Sequence, residues 1–540
     1  MRHWLSKPRF REGPLLLVSG AVAAALLIFV LYPTVRVLGY PKLEAYGLWL
    51  AEPRFQRAAL DSLVMLILST ASATAIGFIF AYAMTRSRLP LQRLWRVVCL
   101  LPLFSPPFMV AFGYLMLLGR NGLITHGLFA ARVTILGWPG LWLAQTISFF
   151  PVAALVIEQE LRSLPPSFDQ AARNLGAGAF QRFWTVTLPL ALPGVAAAAL
   201  MVAILVLADF GNPIMIAGDF SVLATEAWLR VQGWADLAGA AVLGTFLLVP
   251  SLLLFWLQRA WAKDHAYVTV TGKASSLEPV PSPKGEQILL VTLCLAVSAV
   301  VLAAYAALVL GAVVKGWGYD WTPTWRWLSQ LPERWAELSR SLAFSLAAGA
   351  ASAFFAMAAA YLTTTRKVAG RRILDLLCML PAALPGVFVG IGYSIAFNRP
   401  PIDLYGTAAI IILSLMFWNI SPGYQTGVET LKQIAPSLGE AASNLGAGSL
   451  RRFLDLYLPL LRGPFLSAFI LGFIRSITTL SVIVFVETSS NSVATFTIMN
   501  LVGDGYYGDA AALATALLIL SFAAVGLART LFPGQTRVRS

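Results

Sequence analysis

Apolar residues along this 540-residue chain come in long runs rather than in alternation with polar ones. Runs long enough to cross a bilayer fall near 14–32, 58–84, 95–118, 138–157, 186–208, 238–258, 288–311, 340–363, 374–397, 407–427, 456–484 and 509–528. The pattern predicts an all-α membrane protein with twelve transmembrane helices; the 456–484 run is long enough to include a loop. Strands of a membrane barrel alternate apolar and polar positions, and these runs do not. The first run follows a basic stretch, as a secretory signal does. It is long enough to span and lacks a clear small-residue cleavage site, so it is read as an uncleaved first helix.

Composition agrees. Hydrophobic residues make up 58% of the chain and charged residues 12%, about half the charge of a typical soluble domain. A soluble, disordered, collagen-like or disulfide-stapled protein is excluded. Cys99, Cys294 and Cys378 lie in apolar runs without metal-ligand spacing, and only three His are present. The cysteines read as small core residues, and no metal ligand set can be assigned.

The net charge of +14 could signal nucleic acid, but its distribution gives a different answer. With the N-terminus inside, the inside segments hold 25 Lys+Arg and the outside segments 12, over similar lengths. This excess predicts both termini in the cytoplasm. The outside segment 312–340 carries Trp317, Trp321, Trp325, Trp327 and Trp335, which suits a helix or loop at the outer interface.

The chain also repeats itself. Shifted by 279, Tyr82, Cys99, Pro102, Pro106, Gly113 and Tyr114 meet Tyr361, Cys378, Pro381, Pro385, Gly392 and Tyr393. Shifted by 270, residues 157–194 match 427–464 with 15 identities in 38. Six spans in each half give two parallel repeats, whereas an inverted repeat needs an odd number. The expected division is 1–258, a Ser-, Pro- and Lys-containing cytoplasmic linker at 259–287, and 288–540.

The strongest repeated element lies at 158–184 and 429–455, between the fourth and fifth spans of each half. Pro166-Ser167 and Pro436-Ser437 are expected to open a helix with Ser167 and Ser437 as N-caps. Gln170 and Glu440, three residues on, complete a capping box. Ala171-Ala172 and Ala441-Ala442 continue the helix, Gly176 and Gly446 end it in the αL conformation, and a second short helix leads to Leu188-Pro189 or Leu458-Pro459. An ordinary connector has no reason to keep Ala-Ala-x-Asn-Leu-Gly-Ala-Gly in both copies. The duplication suggests two equivalent partners docking underneath.

These residues resemble the EAA loop of type I ABC importer permeases, E-A-A-x-x-x-G followed by L-P. The second half matches with Glu440-Ala441-Ala442, Gly446 and Leu458-Pro459. The first matches with Ala171-Ala172, Gly176 and Leu188-Pro189, but Gln170 replaces the acid. The resemblance covers nearly the whole chain as two fused permease domains. It implies that each loop is a coupling helix seated in a cleft of an ATP-binding cassette subunit. The change to Gln170 leaves any salt bridge there open and allows unequal coupling.

A narrower match, Ala208-Asp209-Phe210-Gly211-Asn212-Pro213 with Val222-Leu223-Ala224-Thr225, is similar to the fused permeases of ferric-iron importers. Thr478-Thr479-Leu480-Ser481 and Ser492-Val493-Ala494-Thr495 resemble them in the second half. Fused permeases for thiamine, phosphonates or polyamines have related organisation. The implied partners are two ATPase subunits below and a periplasmic or lipid-anchored substrate-binding protein above. The implied setting is a prokaryotic inner membrane.

Nothing in the chain can supply energy. It has no phosphate-binding loop; Gly272-Lys273 lacks the motif's other partners. No catalytic constellation is visible, so ATP and Mg are expected on the partner subunits, with no cofactor and no nucleic acid on this chain. A secondary transporter remains the alternative class, since parallel repeats occur there too. Such a protein has no need of the paired helix–glycine–helix element. Asp209 and Glu487 are acids near spans, where charge is costly and often functional. Asp209, with Asn212 and Pro213, either meets a passing cation, holds a gate or stabilises a helix end and tight turn. Glu487 leaves the same choice in the second half. Arg475, within the eleventh run, pairs with an acid or a carbonyl or contacts substrate.

Overall fold

The computed structural model describes residues 13–86, 89–129, 134–264, 283–365 and 370–531. The expected linker falls largely outside these residues, as do the basic 1–12 and 532–540 segments. Helices occupy all twelve apolar runs, but not each as one uninterrupted rod. Among the described residues, nine helices are individually long and apolar enough to cross a membrane. Two more spans are bent pairs, Arg371–Ala382 with Gly386–Ala396 at 113° and Phe453–Leu460 with Arg462–Thr478 at 63°. The tenth run is interrupted at Asn419, between Ala408–Trp418 and Ile420–Gln433.

Proline explains the break shared by the third and ninth runs. It has no N–H to donate and pushes the preceding residue out of the α region. Before Pro106, Ser105 is extended at φ −113° and ψ 151°. The helix therefore restarts at Pro107, and in the second repeat at Gly386 after Pro385.

The helices pack into two compact units that do not follow the sequence repeats. One comprises Lys42–Trp335 and Ala494–Leu518; the other takes the described residues of Met1–Pro41, Ala336–Val493 and Ile519–Ser540. The first helix of each repeat thus packs with helices of the other repeat. The same repeated dipeptide receives it in both units. Gly113 lies so close to the helix Lys284–Gly311 that a Cβ there would meet the Ala304 backbone, and the Tyr114 hydroxyl donates to Val300 O at 3.1 Å. In the other unit, Gly392 abuts Pro33 and Val37, and the Tyr393 hydroxyl donates to Phe29 O at 2.8 Å. Small residues permit close approach where lipid offers no hydrophobic drive between helices. The identities at Gly113-Tyr114 and Gly392-Tyr393 are thereby explained: each pair forms a seat for a helix from the opposite repeat.

The Trp-rich 312–340 segment folds partly on itself. Val314–Gly316 pairs antiparallel with Asp320–Pro323. Trp317 donates to Met116 O at 2.8 Å and Trp327 to Val314 O at 2.7 Å, while Trp325 and Trp335 stay exposed. Thr322 and Lys315 donate to the Asp320 carboxylate and hold its pKa down at about 2.

Candidate functional site

The two copies of the repeated element share one backbone design. Its helices run Pro166–Asn174 and Pro436–Asn444. Each starts two residues earlier than expected. Pro165 and Ala435 are the N-caps, without a side-chain cap hydrogen bond, so Ser167 and Ser437 lie inside the first turn and neither capping box forms. Proline accounts for this correction. Its fixed φ is preorganised for the first helical position, where an N–H would be orphaned anyway.

The helix ends are as expected. Gly176 has φ +84° and Gly446 φ +81°. In the first copy Ala177 N–H donates to Ala172 O at 3.0 Å, and Gly176 N–H to Arg173 O at 2.9 Å. In the second, Ala447 N–H donates to Ala442 O and Gly446 N–H to Ser443 O, both at 3.0 Å. The longer bond closes a Schellman-type stop. Both glycines have open space where a Cβ would stand, so the left-handed backbone conformation itself is what requires them.

The stop projects apolar side chains outward. Leu175 and Leu445 are each 88% exposed, and Phe168 and Leu438, Trp184 and Leu454 are also exposed at matching positions. Phe180 adds a further exposed ring in the first copy. Clustered exposed apolar groups mark a contact surface.

Charges differ between the copies. In the first, Asp169 pairs with Arg182 at 3.0 Å, tying the helix to the segment that follows. In the second, Gly439 stands at the Asp169 position, and a Cβ there would lie 2.5 Å from the Tyr457 hydroxyl. Arg452, the counterpart of Arg182, donates instead to the Ser443 hydroxyl. Gln170 and Glu440 are both exposed.

Asp209, Asn212 and Pro213 form a different kind of site, at the turn between helices Leu188–Leu207 and Gly211–Ile216. Asp209 is buried, and both of its oxygens are engaged by the chain's own donors. Asn212 N–H reaches Oδ1 at 3.3 Å, while Asn212 Nδ2 and Gln145 Nε2 donate to Oδ2 at 2.9 and 3.0 Å. Gln145 in turn accepts from Ser69 at 2.9 Å, and Ser148 donates to Asn212 Oδ1 at 3.4 Å. The network ties the turn to helices Pro53–Arg86 and Trp138–Ser163. Of the readings open for Asp209, the geometry displays the turn-stabilising one.

Among the described residues the second repeat shows no such network at the equivalent place. Thr479 stands where Asp209 is expected, and its hydroxyl lies 3.4 Å from that of Ser481. Arg475, one helical turn earlier, has no ion pair or hydrogen bond among the described residues; its guanidinium lies 5.1 Å from the Trp418 ring centroid. Glu487 is half-buried. Burial raises its pKa, opposed by a hydrogen bond from Ser492.

Comparison with known proteins decides what these elements belong to. The family model of the binding-protein-dependent transport system inner membrane component matches twice, at residues 73–264 and 352–534. The chain belongs to this family. It is a fused two-domain ABC permease, each match containing one helix–glycine–helix element. It is 30% identical to the ferric transport system permease protein FbpB of Actinobacillus pleuropneumoniae, covering 96% of this chain and 79% of that protein. It is 29% identical to the putative ferric transport system permease protein FbpB 1 of Haemophilus influenzae, over 91% and 81% of the two chains. It is also 31% identical to the molybdenum transport system permease protein ModB of Escherichia coli K12, over 39% of this chain and 96% of that one.

The permease sequence disclosed Gly176, Gly446 and Asp209 through residue type alone. It did not disclose the partners of Asp209, since Gln145 and Ser69 lie 64 and 76 positions from the residues they bond. Nor did it show the Asp169–Arg182 pair, which spans two short helices. Among the described residues no group of three or more His, Cys, Asp or Glu side chains could hold a metal ion.

Proposed function

We propose that this permease is the translocation subunit of an ATP-driven importer that moves ferric iron across the cytoplasmic membrane. The carrying observation is the repeated element: one backbone stop, built twice, each presenting matched exposed leucines. A surface duplicated in this way suits two copies of one partner. Two ATP-binding subunits dock there and hydrolyse ATP, and a substrate-binding protein delivers cargo at the opposite face. The Lys+Arg excess supports placing both elements and both termini in the cytoplasm. Docking and cargo each bias the same inward-open to outward-open equilibrium, which couples them. The extensive similarity to ferric transport permeases supports iron as cargo.

An oxyanion is the second reading. It is favoured by Arg475, a cation at membrane depth without an acid partner among the described residues. The test is uptake into vesicles holding the permease, its ATPase and its binding protein, with ferric iron, molybdate, thiamine and polyamine offered in turn. ATP-dependent accumulation of iron alone upholds the first reading. Accumulation of molybdate alone replaces it with the second, and uptake without ATP removes both.

A further inference from the structure

We infer that the two docking surfaces of the permease are electrostatically unlike, so that two identical ATPase subunits are held unequally, the second repeat alone supplying a carboxylate to a basic side chain of its partner. This rests on the proposed docking of ATPases at the two elements.

The argument starts from a shift of the acid by one position. The first copy reads Asp169-Gln170 and the second Gly439-Glu440. One residue along a helix is a turn of about 100°, enough to move a carboxylate from an inner face to an outer one. In the first copy Asp169 points back into the element and is neutralised by Arg182 at 3.0 Å. In the second, Tyr457 closes the inner position, leaving room only for glycine. The acid stands at Glu440, exposed and without a partner among the described residues.

Positions three apart share a helix face. The first face therefore presents Gln170 with Arg173, exposed and without an ion pair among the described residues, whereas the second presents Glu440 with Ser443. The first outward face carries Arg173 and no acid, whereas the second carries the carboxylate of Glu440 with Arg452 drawn to Ser443 beside it, on the same backbone and beside the same exposed leucine. A partner with a basic residue at this contact meets attraction at Glu440 and repulsion at Arg173. Apolar contact through Phe168, Leu175, Phe180 and Trp184 then carries the first site. The larger rings there, against Leu438, Leu445 and Leu454 in the second, fit that division.

The experiment uses the full chain in lipid nanodiscs with its cognate ATP-binding subunit, counting bound copies by native mass spectrometry while salt is raised. Wild type is expected to hold two copies at low salt. Glu440→Gln should drop to one copy at a salt concentration where wild type still holds two, with about a 5- to 10-fold weaker second binding step. Gln170→Ala should change neither step by more than about 2-fold, and Arg173→Gln should tighten the weaker step. Equal loss from Glu440→Gln and Gln170→Ala, or no loss from either, overturns the inference. Wild type that binds no copies at any salt overturns the docking reading instead, so the two failures are distinct. Glu440 is exposed and has no side-chain hydrogen bond or ion pair among the described residues, so its substitution should leave the fold intact.

Discussion

The stops of the two helix–glycine–helix elements and the turns that follow the fifth and eleventh runs are both repeated places, yet only the stops repeat their bonding. At Gly176 and Gly446 the backbone hydrogen bonds of one copy have their counterparts in the other. At Asp209 and Thr479 a five-residue buried network faces a single hydroxyl pair. The difference lies in what fixes each site. A left-handed stop admits essentially one residue type, so duplication leaves it unchanged. A side-chain network needs all of its members at once, and one copy can lose it when other contacts hold the chain.

The sharpest way to break this comparison is Asp209→Ala beside Thr479→Ala. Removing Asp209 leaves the Gln145 and Asn212 amides buried without their acceptor. Unsatisfied buried groups cost about 1–3 kcal/mol each, so a loss of about 2–4 kcal/mol is expected. Thr479→Ala should cost below about 1 kcal/mol, since its one partner is weakly placed at 3.4 Å. Thermal unfolding in detergent, followed by a buried-aromatic signal, measures both. Equal shifts in midpoint would refute the contrast.

Next in size are Gly176→Val and Gly446→Val. Both sites have open space, so the cost is the left-handed conformation itself, about 1–2 kcal/mol. A β-branched residue resists it most. The two variants should lose ATP-dependent uptake by similar factors, at least about 10-fold, while folded yield stays near wild type. A large loss from only one of them would show that the shared stop does not mean shared use.

The sequence made some of these sites readable and hid others for identifiable reasons. The apolar runs placed the helices because a span must be continuously apolar, and Gly176 and Gly446 were legible because few residues tolerate their φ. The helix starts were misread by two residues: Ser167 and Ser437 fit the capping motif, but the preceding prolines already supply the first helical position. The breaks at Asn419 and Leu461 were announced but not read: each stands three residues before a proline, Pro422 or Pro464, which cannot donate to the carbonyl four back, at Trp418 or Leu460. The exchange of first helices between repeats was invisible, although its seats, Gly113-Tyr114 and Gly392-Tyr393, stood out as identities. A repeated Gly-Tyr pair shows that something close-packed is duplicated; it does not say which helix arrives.

Those seats allow a finer comparison. Tyr114→Phe and Tyr393→Phe each remove a hydroxyl that donates to a carbonyl of the seated helix, worth about 1 kcal/mol, without changing the packed ring; the Tyr393 hydroxyl also lies 3.4 Å from Leu413 O, a weaker second contact. Equal destabilisation is expected, with the double variant additive because the two seats share no partner. A coupling energy above about 0.5 kcal/mol in the double-mutant cycle would show that the two seats respond to each other.

The smallest effect should come from Asp169→Asn. The Asp169–Arg182 pair is partly exposed, and such pairs contribute about 0–1 kcal/mol. Its loss should therefore be near 0.5 kcal/mol at low salt and vanish near 0.5 M salt, where screening is strong. The informative variant is the double exchange Asp169→Gly with Thr187→Tyr, which gives the first element the residues of the second at both positions. If Tyr457 in the second copy does the work of the ion pair in the first, the double exchange should restore wild-type stability and remove its salt dependence. Stability that stays low after the exchange would show that the pair and the tyrosine are not alternative ways of bracing one helix.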